Sequence, residues 1–168
     1  MNGVAIRPAV PGDAEALVAL ARAVGSEPGG WLISTDDWRG TAEERRYLRA
    51  LRRHPDAQVL VAETADGLVG RLSVARDGHP ASGHVADLGL MVAAAHRRRG
   101  IGTRLLAGAV DWARSAGVRK LELHVFPHNE GAIALYESFG FRREGHRRGH
   151  YRRGGEDVDA VLMALTVR

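Results

Sequence analysis

Apolar side chains recur along this chain with two periods. From residue 14 to about 24, Leu17, Leu20, Ala21 and Val24 fall on one helical face, and Asp13 stands where an N-cap would. A second helix opens at Thr41 and runs through Tyr47, Leu48 and Leu51, with Thr41, Ala42, Glu43 and Glu44 spaced as a capping box. A third spans about 100–116, its stripe made by Ile101, Leu105, Leu106, Ala109, Ala113 and Ala116, and Gly117 follows as a left-handed C-cap. A fourth, 130–139, carries Ala132, Leu135, Tyr136 and Phe139 and stops at Gly140. Elsewhere the period shortens to two or the run is short and apolar, which predicts strands. Ile6 to Ala9 closes a short strand. Strands at 58–63 and 68–75 flank a hairpin turn at Ala65, Asp66 and Gly67. Another strand covers 84–92. Residues 120–126 set Leu121, Leu123 and Val125 against Glu122, His124 and Phe126. A last hairpin turns at Gly154 and Gly155 and ends in an apolar strand at 158–165. Residues 26–40, rich in Gly, Pro, Ser and Asp, read as loop.

Strand, helix, strand, helix in the second half predicts a parallel crossover, and the hairpins on either side add antiparallel strands. The expected fold is α+β, layered α/β/α, with a mixed sheet between helices. At 168 residues the whole chain, 1–168, reads as one domain.

Composition narrows the chemistry. There is no cysteine, so disulfides, thiolate metal sites and a cysteine nucleophile are excluded, and no metal site is expected. No run of about 18 apolar residues predicts a membrane span, and the first residues do not read as a signal peptide. The chain reads as soluble and cytoplasmic, without a membrane partner. Charge is uneven. Residues 1–84 hold 10 basic and 11 acidic side chains, net −1, whereas residues 85–168 hold 14 and 9, net +5. The second half is where an anion should be met, either nucleic acid or a phosphorylated cofactor.

The segment from Leu90 to Leu106 is the most informative. A strand ends and a helix begins there within about seven residues, and the turn holds Arg97, Arg98, Arg99, Gly100 and Gly102. The first N–H groups of a helix lack internal partners and carry partial positive charge, so they bind phosphate. Glycines let a pyrophosphate approach the backbone. The alternative is an ordinary helix start with a solvated basic turn. No Gly-Lys-Ser/Thr follows, so this is not a Walker loop, and it lacks the third glycine and distal acid of a dinucleotide fingerprint.

Here the chain resembles the GNAT superfamily of N-acetyltransferases. Arg97-x-x-Gly100-x-Gly102 is similar to its coenzyme A signature. Asn129, Ala132, Leu135, Tyr136, Gly140 and Phe141 match its second block, Asn-x-x-Ala-x-x-Leu-Tyr-x-x-x-Gly-Phe. Ile6-Arg7-Pro8 and Asp159-x-x-Leu162-Met163-Ala164-Leu165 also match family patterns. The resemblance implies a mostly antiparallel sheet of six to seven strands with one splayed parallel pair and about four helices. It implies acetyl-CoA as co-substrate. Pantetheine would lie against backbone groups of Leu90, Met91 and Val92, with an N–H near Val92 as oxyanion donor. Arg97, Arg98, Arg99, Gly100, Ile101, Gly102 and Thr103 would bind pyrophosphate. Asn129 would contact the cofactor as well as cap its helix. Tyr136 would be the general acid, its alternative being a core aromatic.

Members similar to the ribosomal-protein N-terminal acetyltransferases carry a glutamate five residues before that asparagine. This chain has His124 there, a departure. His124 is the candidate base, with Glu122, Asp87 or water alone as alternatives. Trp31 and Trp38, in the 26–40 loop, are expected to wall the acceptor site.

Residues 142–153 hold six arginines and one aromatic. They read as a solvated strand and hairpin that adds positive potential. Two alternatives are RNA binding and a bidentate grip on a substrate carboxylate. The expected activity is acetyl transfer to a primary amine, a small amine or amino acid, with nucleic acid disfavoured as partner and a homodimer left open. Alternatives are a protein N-terminal or lysine acetyltransferase, and a non-catalytic acyl-CoA or nucleic-acid binding module.

Overall fold

The computed structural model describes residues 3–33 and 38–168. Among these, seven strands form one sheet in the order β1-β2-β3-β4-β5-β7-β6: β1 Ala5–Pro8, β2 Ala57–Thr64, β3 Gly67–Arg76, β4 Val85–Val92, β5 Lys120–Val125, β6 Arg142–Arg153 and β7 Glu156–Thr166. The helices are α1 Ala14–Gly25, α2 Thr41–Leu51, α3 Ile101–Ala116 and α4 Glu130–Phe139. Every strand pair is antiparallel except β4 with β5. α3 is the crossover that such a parallel pair requires.

That parallel pair is short. Its register runs Val85 to Lys120, Ala86 to Leu121 and Asp87 to Glu122, and there it stops. β4 continues for five more residues to Val92, paired only with β3 on its other side. The second half of β4 therefore presents an unpaired edge toward β5.

The two faces of the sheet differ. Leu72, Val74, Ala86, Leu121, Leu123 and Val125 point to one side and pack with Ile101, Leu105, Leu106 and Ala109 of α3 in the main core. Truncating a buried leucine of this kind costs about 2–5 kcal/mol. On the other side Val59 and Val61 pack against Leu17 of α1 and Leu48 of α2. In register with them are Ser73 and Arg71 of β3, and then Gly89 and Met91 of β4. Polar groups thus enter the second face but not the first.

Local details depart from the sequence reading at three places. Gly40, with extended backbone, is the N-cap of α2, and Thr41 is its first residue without a side-chain cap bond. Glu44 therefore closes no capping box; it is fully buried beneath α2. Asp13 stands at the N-cap of α1, as expected, but its side chain makes no cap hydrogen bond there. Its carboxylate takes Arg7 at 2.8 and 3.0 Å and accepts the Val10 N–H at 2.8 Å, tying β1 to α1. The alternation of the fifth strand ends at Val125: Phe126 lies past β5, fully buried, stacked on His128 with centroids 5.4 Å apart.

Candidate active site

Two cavities open where β4 leaves β5. The larger, about 830 Å³, is walled by the end of β4, the start of α3 and residues of α4. The smaller, about 280 Å³, lies over the polar sheet face, between β3, β4, β5 and the loop that carries Trp31 and Trp38. Leu90, Met91, Asn129, Ala132 and Tyr136 line both. The two spaces thus meet at the splay, with Tyr136 at the junction.

Strand geometry aims the β4 backbone. The Ala93 N–H is bonded to Val69 O of the β3 side at 2.8 Å. Strand groups alternate in direction, so Met91 also faces β3 while Leu90 and Val92 face the gap. The Val92 carbonyl accepts from Arg97 Nε at 2.9 Å. Val92 N–H is left as the donor that projects into the splay.

The turn before α3 has the shape of an anion cradle. Arg98 and Gly100 both have positive φ, 61° and 78°. A non-glycine residue held there is uncommon, and such alternation gathers successive N–H groups into a concavity. The N–H groups of Ile101, Gly102 and Thr103 begin α3 and have no intrahelical acceptor. The two glycines serve different ends. A Cβ at Gly100 would meet nothing within 4 Å, so the backbone conformation is what needs glycine there. At Gly102 a Cβ would fall 2.6 Å from Leu135 Cδ2, so that glycine lets α3 and α4 approach.

The three arginines diverge. Arg98 lines the larger cavity together with Gly100, Ile101, Gly102 and Thr103, whereas Arg99 is not among its lining residues. Arg97 lines the cavity too, but its guanidinium grips Glu27 of the 26–40 loop through two bonds of 2.6 and 2.7 Å. That pair holds the Glu27 carboxyl below the usual glutamate range. Glu27 also accepts from Trp31 Nε1 at 2.8 Å, so Arg97 ties the loop to the α3 turn. No sequence signal linked Glu27 to Arg97 across 70 positions.

Asn129 is the N-cap of α4, and its Oδ1 accepts the Ala132 N–H at 3.3 Å. Tyr136 is 5% exposed, and burial pushes its phenol well above the ordinary tyrosine value. It stays protonated, a donor rather than an acceptor.

Around the smaller cavity the sheet gathers Arg71, Ser73, Asp87 and His124, and β6 adds Tyr151. His124 Nδ1 and Tyr151 Oη are 2.5 Å apart. Burial and the charge of Arg147 lower the His124 pKa, opposed by Asp87 and Glu122. Asp87 is shifted the other way, raised by burial and by the neighbouring Glu122. Burial also raises Tyr151. Lys120 holds Glu122 at 2.7 Å, and Glu122 does not line the cavity. Trp31 and Trp38 both line this space; residues 34–37 between them lie outside the described residues. From the arginine-rich segment only Tyr151 lines either cavity. The sequence reading passed over Tyr151 and Arg71. Tyr151 looked like one aromatic in a basic run, and Arg71 like a charged residue in a strand.

The comparisons agree with this geometry. The model of the Acetyltransferase (GNAT) family matches residues 29–141. The chain is 35% identical over 125 residues to the L-amino acid N-acetyltransferase AaaT of Escherichia coli, covering 72% of this chain and 75% of that one. It is 36% identical over 128 residues to the N-alpha-acetyltransferase RimI of Mycobacterium tuberculosis, covering 75% of each. An acetyltransferase of the GNAT family from Streptococcus pneumoniae superposes with a TM-score of 0.89 at 26% identity, over 99% of this chain and 100% of the other. The chain belongs to the acetyltransferase (GNAT) family, and it is an acyl-CoA-dependent N-acetyltransferase with acetyl-CoA as its co-substrate.

Proposed function

We propose that this enzyme acetylates the primary amine of a small molecule, a small amine or an amino acid, and that residues 1–168 act as one domain. Support for a single unit comes from β1, β6 and β7, which lie wholly or largely outside the matched stretch yet complete the same sheet. The observation that carries the small-molecule reading is the junction at Tyr136: a large cavity suited to a cofactor meets a small one of about 280 Å³ walled by Trp31 and Trp38. The similarity to the L-amino acid N-acetyltransferase AaaT favours the same reading. A peptide acceptor, as the name of the RimI relative suggests, is the second reading. It would need a groove in place of this pocket.

In this proposal the residues divide their work. N–H groups of Gly100, Ile101, Gly102 and Thr103, with the Arg98 side chain, hold the pyrophosphate. The free edges of Leu90 and Val92 take pantetheine as an added strand, Met91 lines that wall, and Asn129 caps α4 beside it. Arg97 keeps the loop in place, and Arg99 adds positive potential from outside the cavity. Bound acetyl-CoA supplies the thioester carbonyl. Val92 N–H donates to its oxygen, a contribution of about 3–4 kcal/mol to the transition state.

Tyr136 donates a hydrogen bond to the departing sulfur. An ordinary phenol is about 1.5 pKa units above a thiol, so full proton transfer is uphill by about 2 kcal/mol before burial raises it further. The hydrogen bond is therefore the main service.

His124 takes the amine proton. For that, Nδ1–H donates to Tyr151 Oη, which leaves the Nε2 lone pair free. The lowered pKa keeps the ring neutral near neutral pH. Asp87 and Glu122 favour the imidazolium once it forms.

A coenzyme A release assay on the full chain with acetyl-CoA tests the reading. Free amino acids and simple amines should turn over at least tenfold faster than peptides of equal amine content. Faster turnover of peptides would sink the small-molecule reading and leave the family assignment intact.

A further inference from the structure

The smaller cavity holds a charged group that the chemistry above leaves unused. Arg71 of β3 is 3% exposed, yet it lines this space. A buried guanidinium is costly unless its charge is matched and its donors are used. Among the described residues neither condition is fully met. Glu44 of α2, itself fully buried, accepts from Arg71 Nη2 at 3.2 Å, and Arg39 Nη1 sits 3.2 Å from its other oxygen. Among the described residues, then, two guanidinium groups share one buried carboxylate. Arg71 Nε has no hydrogen-bond partner among the described residues. Trp38 covers the guanidinium, 4.8 Å from its ring centroid, and fixes its plane.

The rest of the cavity shows what the missing anion is attached to. Arg71 lies opposite Met91, Ser73 opposite Gly89 and Ala75 opposite Asp87. His124 stands two residues beyond Glu122 on β5, as Gly89 stands two beyond Asp87 on β4. It is therefore nearer the Ser73 level, about two strand residues or roughly 7 Å of backbone from Arg71. An amine and its α-carboxylate, one carbon apart, fit that reach with a hydrogen bond at each end. The floor there is Ser73 and bare Gly89, where even a Cβ would approach Ser73 Oγ to 3.5 Å. One side of the cavity is cationic, and the other holds His124 and Tyr151, the proposed base and its partner.

We propose that Arg71 is the specificity-determining residue of the acceptor site: it binds a carboxylate borne by the same small molecule as the acetylated amine, an α-amino acid in the simplest case. The proposal rests on the small-molecule reading above. Glu44 takes Nη2, and Nε is the donor left for the substrate carboxylate. A residue at the N-terminus of a protein has an amide where a free amino acid has its carboxylate, so the same site disfavours peptides. The arginines of β6 are not needed for this task.

Matched pairs test it: L-amino acids and their α-carboxamides, with acetyl-CoA and the full chain. In the wild type kcat/KM should favour the acid by about 10²-fold, because the amide leaves the Arg71 charge buried and unmatched. Arg71→Met should bring that ratio to within about threefold, acting through KM, and Arg71→Lys should fall between. Because Arg71→Met strands Glu44, the double variant Arg71→Met/Glu44→Gln is measured beside it, with acetyl-CoA calorimetry as the check on folding. Equal wild-type rates on acid and amide, or an unchanged ratio in a folded Arg71→Met protein, would overturn the role of Arg71 alone. No turnover of any small amine, acid or amide, would overturn the small-molecule reading and this inference together. If neither variant folds, the wild-type ratio decides.

Discussion

The larger cavity takes nearly all its wall from two stretches of chain, residues 90–103 and 128–138, each a strand end or turn running into a helix start. The smaller one draws on the loop around Trp31 and Trp38, on β3, β4, β5 and α4, and on β6. In the first, on the proposed reading, backbone N–H groups at a helix start hold the cofactor, so a local run of glycines and arginines is enough to mark it. In the second, single side chains from distant strands meet on one sheet face. The first kind of site accepts a cofactor common to a whole family. The second can change its specificity one residue at a time. Tyr136 lines both, so it stands at their junction.

The sharpest test of this division is the residue at the junction. Tyr136→Phe removes one hydroxyl and keeps the buried ring against Phe141, 5.6 Å away. It should lower kcat by about 10²-fold or more, with acetyl-CoA affinity unchanged by calorimetry. An unchanged kcat would return Tyr136 to the core.

Next is Gly102→Leu, which strikes the donor side alone. Leu135 must yield to a Cβ otherwise 2.6 Å away, so the α3 turn shifts against α4. In the wild type, acetyl-CoA at a hundred times its Kd should stabilise the fold by about 2.7 kcal/mol. Thermal melts of the variant should show that increment mostly gone. A full ligand shift in Gly102→Leu would mean that the cradle does not depend on this packing.

His124→Gln strikes the acceptor side alone. The folded pKa of His124 lies below 6.5, so the neutral base is present above that pH and lost as pH falls through the lowered value. Wild-type kcat/KM should therefore show an acidic limb below pH 6.5. The variant should lose this limb and about tenfold in rate, since water can still drain the proton. Should the limb persist in His124→Gln and vanish in Asp87→Asn, the base is Asp87, whose pKa is raised by burial and by Glu122. His124→Glu should recover part of the rate.

The smallest effect is expected at Asn129→Ala. Losing the cap bond to Ala132 N–H should cost about 1 kcal/mol of stability, read by urea unfolding. A simultaneous loss of acetyl-CoA affinity would add a cofactor contact to the capping role.

What the sequence determined by itself is whatever a short window can encode. The period of apolar residues located four helices and most strands within a few residues. Gly117 and Gly140 closed α3 and α4 with positive φ, 70° and 118°, and Gly154-Gly155 turned the last hairpin. The 97–103 turn was legible as a helix start with glycines and arginines because helix-start chemistry is local. Tertiary structure decided what depends on burial and on distance in the chain. It made Glu44 a buried ion-pair partner of Arg71, 27 positions away, instead of half a capping box. It gave Arg97, which lines the larger cavity, a partner in Glu27, 70 positions away. It set Tyr151 of β6 beside His124 of β5 although β7 lies between those strands in the sheet. A charge reads as solvated in sequence because most charges are. Only the sheet reveals which one has been taken out of water, as Arg71 has.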